Sequence, residues 1–173
     1  MNNENTTSFS VVYDSFLSKI TDDMYMELTK EDTEKMLEEL LISSIPKFEF
    51  PRFDIFDYVK GEEDELANTY TVGYFNSNLT SEEVNIIATY MIVEWLGQQL
   101  ASVENIRMKY SGTDFKFTSQ ANHMQKILTI KKDYEREGFH LQRLYKRRAY
   151  DKDGVLRSTF GKLMSETNYS IED

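Results

Sequence analysis

The chain has 173 residues, of which 40% are hydrophobic and 13% aromatic, enough for one domain with a core rich in its 11 Tyr and 11 Phe. It contains no Cys, which excludes a disulfide framework, a thiolate nucleophile and a Cys-ligated metal. The formal net charge of −10 sits in the front half: residues 1–80 hold 17 acidic and 6 basic side chains, whereas residues 81–173 hold 13 and 14. An acidic front half argues against nucleic-acid binding by the whole chain, and the asymmetry suits a subunit that meets its neighbours through oppositely charged surfaces. Ordinary solvated faces account for the charge equally well.

Residues 1–8 are polar, are expected to lack structure in isolation, and show no basic-then-apolar secretory pattern. From Ser10 a helical period begins, with Val12, Phe16, Leu17 and Ile20 on one face. Residues 24–28 either continue it or turn back against it. Thr29 and Asp32 stand at capping-box spacing and open a second helix. Its periodicity places Met36, Leu37, Leu40, Leu41 and Ile45 inward and Glu31, Glu34, Glu38 and Glu39 outward, and Pro46 ends it.

From Lys47 to Tyr58 apolar and charged residues alternate, with Phe48, Phe50, Phe53 and Phe56 as aromatic anchors and a slip of phase after Pro51. Extended chain at a sheet edge is the reading. Gly61-Glu62-Glu63-Asp64-Glu65 reads as a solvated acidic tip, and Thr69 to Phe75 resumes strand-like alternation. Residues 53–59 and 69–75 either pair as a long-looped hairpin or form an irregular loop.

The organising stretch is 80–107. Thr80 and Glu83 form a second capping box, after which Val84, Ile87, Ala88, Met91 and Trp95 cover one face and Ile86, Tyr90, Val93, Leu96 and Leu100 much of the rest. A helix apolar nearly all round is buried on several sides, and one of this length runs roughly 40 Å. Thr89 and Glu94 interrupt the apolar run well short of a membrane span. A Ser-Gly turn signal at 111–112 leads to a last long helix, capped by Thr118 or Ser119 and running to about Arg148. Met124, Ile127, Tyr134, Leu141 and Tyr145 mark its buried stripe, and Gly138 on that stripe predicts a close helix–helix approach. Beyond it, Asp153-Gly154 between short apolar stretches is a hairpin-turn signal, and Ser158 to Met164 fits a strand or a short helix. The expected fold is mainly α: a compact helical bundle around a long central helix. It comprises a helical domain, 1–148, with an extended aromatic loop or hairpin insertion at 47–78, and a C-terminal arm, 149–173.

The sequence offers little chemistry. His123 and His140 lie 17 positions apart on one predicted helix, roughly 25 Å of rise, so within one chain they cannot share a ligand. Asp151-x-Asp153-Gly154 is only a fragment of a calcium loop, and the turn reading wins. The acidic run 62–65 has nothing to fix a cation's geometry. There is no Gly-rich phosphate loop and no nucleophile elbow, so no catalytic residue, metal ligand or cofactor site is assigned and the chain is not expected to be an enzyme. The feature with functional content is the basic end of the last helix. Residues 126–152 hold nine basic against four acidic side chains, and Arg143, Lys146, Arg147 and Arg148 suit either nucleic-acid phosphates or an acidic protein surface such as the chain's own residues 31–65. The protein–protein reading is preferred. Unlike patches that meet head to tail close into a ring when the rotation permits.

Several stretches carry a resemblance. Residues 22–32 (Asp-Asp-Met-Tyr-Met-Glu-Leu-Thr-Lys-Glu-Asp) lead into a short acidic helix, and Leu79-Thr80-Ser81-Glu82-Glu83 opens a Trp-bearing helix. Asn105-Ile106-Arg107-Met108-Lys109-Tyr110-Ser111-Gly112-Thr113-Asp114-Phe115 and Ser119-Gln120-Ala121-Asn122-His123 precede a long helix ending Leu144-Tyr145-Lys146-Arg147-Arg148. This layout, over about residues 10–148, is similar to head–tail connector (neck adaptor) proteins of tailed bacteriophages. The resemblance implies a non-catalytic virion protein of the neck, assembled in the host cytoplasm as a homo-oligomeric ring of about twelve copies. The ring would bind the portal protein on one side and a tail-proximal neck or tail protein on the other. Packaged DNA would pass through it without sequence-specific binding, and no membrane is involved. Arms typically reach onto neighbours, which adds Tyr150, Val155, Leu156 and Phe160 from 149–173, and Phe53 and Phe56 from 47–78, to the basic residues as candidate partner contacts. The 47–78 excursion departs from a minimal adaptor, which joins its helices more tightly. The competing expectation is a small helical nucleic-acid-binding regulator using the basic end of the last helix.

Overall fold

The computed structural model describes residues 6–20, 28–49, 57–64, 69–109, 117–150 and 156–158. Among these, the chain is mainly helical with small antiparallel sheets. It begins with β1 (Thr7–Ser8) and α1 (Phe9–Leu17), so the end of the polar N-terminal stretch is paired strand rather than unstructured chain. The Ser8 hydroxyl caps α1 by accepting from the Ser10 N–H at 3.3 Å. α2 (Lys30–Ser44) starts at Thr29, whose hydroxyl oxygen accepts from the Asp32 N–H at 3.2 Å, as its capping spacing predicts. Pro46 sits inside a short 3-10 turn, Ile45–Lys47, that closes the helix.

In the excursion that follows, the described residues pair as a hairpin, and the pairing extends past the expected segment 53–59 into 62–64. β2 (Tyr58–Val59) pairs with β5 (Tyr74–Phe75), and β3 (Glu62–Asp64) pairs with β4 (Thr69–Thr71). The acidic residues 62–64 are therefore strand and not tip, and residues 65–68, with the rest of the expected tip at Glu65, lie outside the described residues. β1 adds to the other side of β5, giving the order β1-β5-β2. Two glycines permit the join between the two ladders. A Cβ at Gly73 would meet the Val59 carbonyl at 2.5 Å and the Phe9 ring at 2.6 Å, and one at Gly61 would collide with the Tyr70 hydroxyl. On the inner side of this sheet Phe9, Tyr58 and Phe75 form an aromatic cluster, with the Phe9 and Phe75 rings 4.8 Å apart edge to face.

α3 (Ser81–Lys109) is the central helix. Its capping box is present in both directions: the Glu83 N–H donates to the Thr80 hydroxyl at 3.3 Å, and the Thr80 N–H donates to the Glu83 carboxylate at 2.7 Å. Every residue from Ile86 to Val93 is buried, the result expected of a helix with no polar face over two turns. Each fully buried Ile or Met in that run stabilises the fold by about 1.5–3 kcal/mol relative to exposure. α1, α2 and α4 (Phe117–Arg147) all pack on α3, while α2 and α4 make little contact with each other. α4 already includes Thr118 and Ser119, so neither is its cap. It ends at Arg147, one residue short of the expected limit, because Arg148 opens β6 (Arg148–Tyr150), which pairs with β7 (Leu156–Ser158). The Asp-Gly step at 153–154 lies outside the described residues.

Candidate interaction surface

The surface of interest is the outward side of α4, and three contacts on its inner side decide which residues face out. Gly138 receives the Tyr90 ring: a Cβ there would lie 2.8 Å from Tyr90 Cζ, so the close approach that the glycine predicts is real. One turn on, Gln142 is 1% exposed. Its amide donates to the Lys47 carbonyl at 2.8 Å and to the Tyr90 hydroxyl, and its oxygen accepts from the Glu49 N–H at 2.7 Å. A single side chain thus satisfies backbone groups left over where α2 has ended. Burial raises the Tyr90 pKa and the hydrogen bond with Gln142 opposes that rise. At the last turn the Tyr145 hydroxyl donates to Glu83 Oε1 at 2.5 Å, and the Tyr145 ring meets Phe48 edge to face at 5.3 Å. Glu83 is fully buried, and its two oxygens serve the start of α3 and the end of α4 together.

With Ile127, Gly138, Gln142 and Tyr145 turned inward, helical geometry sends the next stripe out. Lys132, Arg136, Phe139, Arg143 and Arg147 follow at spacings of four, three, four and four, and all are exposed. Phe139 is 47% exposed, and the Arg143 guanidinium lies over its ring at 5.8 Å from the centroid. Such a cation–π pair is worth about 0.5–1 kcal/mol at an exposed site. Arg136 pairs with Asp133 at 3.4 Å and Lys131 with Glu135 at 3.3 Å, both within the helix. Exposed pairs of this kind contribute only about 0–1 kcal/mol and exchange readily for other partners.

On α2 and the hairpin the charge is of the opposite sign. Asp32, Glu39, Glu62 and Glu63 are exposed, and Glu63 pairs with Lys35 at 2.8 Å. Glu38 corrects the outward assignment made from periodicity. It is 7% exposed and accepts from the Tyr70 hydroxyl at 2.6 Å and from the Gly61 N–H at 3.0 Å. Burial first, then the hydrogen bond to Glu38, raises the Tyr70 pKa. The hairpin is thereby clasped to α2. Beside this clasp Tyr13 is 3% exposed, and its hydroxyl has no hydrogen-bond partner among the described residues. Burial, with a smaller contribution from Glu38, pushes the Tyr13 phenol well above the usual tyrosine value.

Of the predicted contact residues, Arg143, Lys146 and Arg147 lie together on the exposed end of α4. Arg148 and Tyr150 fall in β6 and Leu156 in β7, so the hairpin continues directly from that end. Val155, Phe160, Phe53 and Phe56 lie outside the described residues. His123 and His140 are exposed. Phe139, Gln142 and the clasp of Glu38 with Tyr70 were not anticipated. Gln142 had a signal, a polar residue four after Gly138 and three before Tyr145 on an apolar stripe, and Phe139 stands at i,i+4 to Arg143. Among the described residues no group of three His, Asp or Glu is placed to hold a metal, and no helix is long and apolar enough to cross a membrane.

No match is found. Neither a family model, nor a curated protein, nor a solved structure is significantly similar to this chain.

Proposed function

We propose that this protein is a non-catalytic assembly subunit, and that its assembly is the head–tail connector ring of a tailed bacteriophage. In that ring it joins portal to tail and continues the DNA channel. The observation that carries the assembly reading is the separation of charge onto two bodies held apart by α3. An acidic α2 and hairpin stand against a basic outer stripe on α4, with an exposed Phe139 in the middle of the stripe. A side chain that costs free energy to expose, flanked by arginines, is the composition of protein contacts. The neck assignment rests on the resemblance in layout over residues 10–148, and the β6–β7 hairpin supplies the start of an arm.

The test is subunit counting. Mass photometry and negative-stain imaging of the purified full chain, alone and mixed with portal protein, should show rings or portal-bound copies. A strict monomer that also ignores portal refutes the reading. The basic stripe favours one competing reading, a nucleic-acid-binding regulator. That reading requires DNA affinity at low salt that falls steeply as salt rises.

A further inference from the structure

We infer that the outward stripe of α4, Lys132, Arg136, Phe139 and Arg143, docks on the acidic face of a second copy of this chain, at Asp32 and Glu39 of α2 with Glu62 and Glu63 of β3. The inference rests on the assembly reading above and names its interface. Three observations select a second copy as the occupant. First, residues 31–65 hold 12 acidic and 4 basic side chains, so the complement of the basic stripe exists on the same molecule. Second, α2 and α4 each pack on α3 and barely touch each other, and the ion pairs of Arg136 and Lys131 stay within α4. The two faces therefore meet between copies. Third, they are different surfaces, so the contact is heterologous: each subunit donates one face and receives the other, which propagates until a ring closes.

The size of the stripe sets the character of the contact. Residues 132–143 span about 16 Å of helix. One helix width of that length falls short of the ~800 Å² per partner in a standard interface. A single contact is thus weak and salt-sensitive, with Phe139 as its apolar anchor, and closure of the ring makes the second contact of each subunit intramolecular. Association is expected to be concentration-dependent and to fall as ionic strength rises.

Reciprocal charge reversal tests it on the full chain. Arg136→Glu/Arg143→Glu reverses the basic face, and Asp32→Lys/Glu39→Lys reverses the acidic one. Each variant alone is expected to lose self-association by at least about tenfold, because like charges then face each other. An equimolar mixture of the two is expected to regain it, since alternating copies present attractive pairs at every contact, and mass photometry should then show even-numbered assemblies. Circular dichroism and thermal unfolding of each variant confirm that it folds, and Phe139→Ser, which reverses no charge, is expected to weaken association as well. If the wild type assembles and both charge variants assemble equally well, the interface lies elsewhere, and the assembly reading stands without this inference. If Arg136→Glu/Arg143→Glu abolishes low-salt DNA binding and leaves self-association unchanged, the stripe reads nucleic acid and the inference is overturned. A wild type that is monomeric alone, yet joins a ring on portal, overturns the inference unless the charge variants fail to join and their mixture succeeds.

Discussion

Replacing Tyr13 by Phe should make this protein more stable. Tyr13 is almost completely buried beside Glu38 and Tyr70, and its hydroxyl has no hydrogen-bond partner among the described residues. In the unfolded chain that hydroxyl is hydrated. Burying a polar group unpaired costs about 1–3 kcal/mol. Tyr13→Phe removes that cost and leaves a gap of one oxygen, so the net gain is about 1 kcal/mol. For a chain of this size it corresponds to a rise in Tm of about 2–4 °C. Tyr70→Phe is the matched control, since its hydroxyl does donate, to Glu38 at 2.6 Å. A hydrogen bond to a carboxylate is worth about 1.5–3 kcal/mol, and partial exposure of Tyr70 reduces that to about 1–2 kcal/mol of destabilisation. Urea unfolding at pH 7 would measure both, with Cm moving in opposite directions at constant m. A Tyr13→Phe variant less stable than wild type by about 1 kcal/mol or more refutes the reasoning, because the hydroxyl would then have to be paired.

Two further outcomes follow from the same geometry. Gly138→Ala should destabilise by about 1–2 kcal/mol, since overpacking against the Tyr90 ring at 2.8 Å outweighs the gain in helix propensity. In a Tyr90→Ala background, where the three atoms nearest the new methyl group are gone, the sign should reverse; thermal unfolding of the four proteins reads this directly. Raising pH should expose the tyrosines. Tyr13 has a folded-state pKa raised above its unfolded value, so its contribution is intact below about pH 10 and is lost as pH rises toward the folded value. The loss runs at up to about 1.4 kcal/mol per pH unit for one group. Stability of the wild type measured between pH 9 and 11 should therefore fall more steeply than that of Tyr13→Phe, and parallel curves would contradict it.

Where the signal was local, the sequence was legible. Thr29 and Thr80 announce α2 and α3 through side chains that reach only three residues ahead. The continuous apolar surface at 86–93 fixes α3 as the centre, and Gly138 locates the approach of α4. Glu38 was illegible for a physical reason. It sits among Glu31, Glu34 and Glu39 in a sequence that reads as a solvated face, and it is buried only because Gly61 and Tyr70, 23 and 32 positions away, arrive over it. The strand at 62–64 was hidden in the same way. Alternation alone cannot see that Gly61 and Gly73 allow two ladders to be joined, nor that Thr7 and Ser8 supply a third strand from the other end of the domain. The basic end of α4 lay in plain view as charge, whereas its continuation through Arg136 and Lys132 as an outer stripe did not. The place of Phe139 in it became visible only once the inner side of the helix was assigned.

Glu83 has a mechanical consequence. One of its oxygens holds the N–H that starts α3, the other holds the tyrosine in the last turn of α4, and Glu83 and Tyr145 are 62 positions apart in sequence. The β6–β7 hairpin begins at Arg148, immediately after α4 ends at Arg147, so no linker separates it from this carboxylate. A pull on the hairpin is not absorbed by slack chain. It loads Tyr145 within one turn and, through Glu83, the cap of the central helix, so force applied at β6 is delivered to the first turn of the core helix.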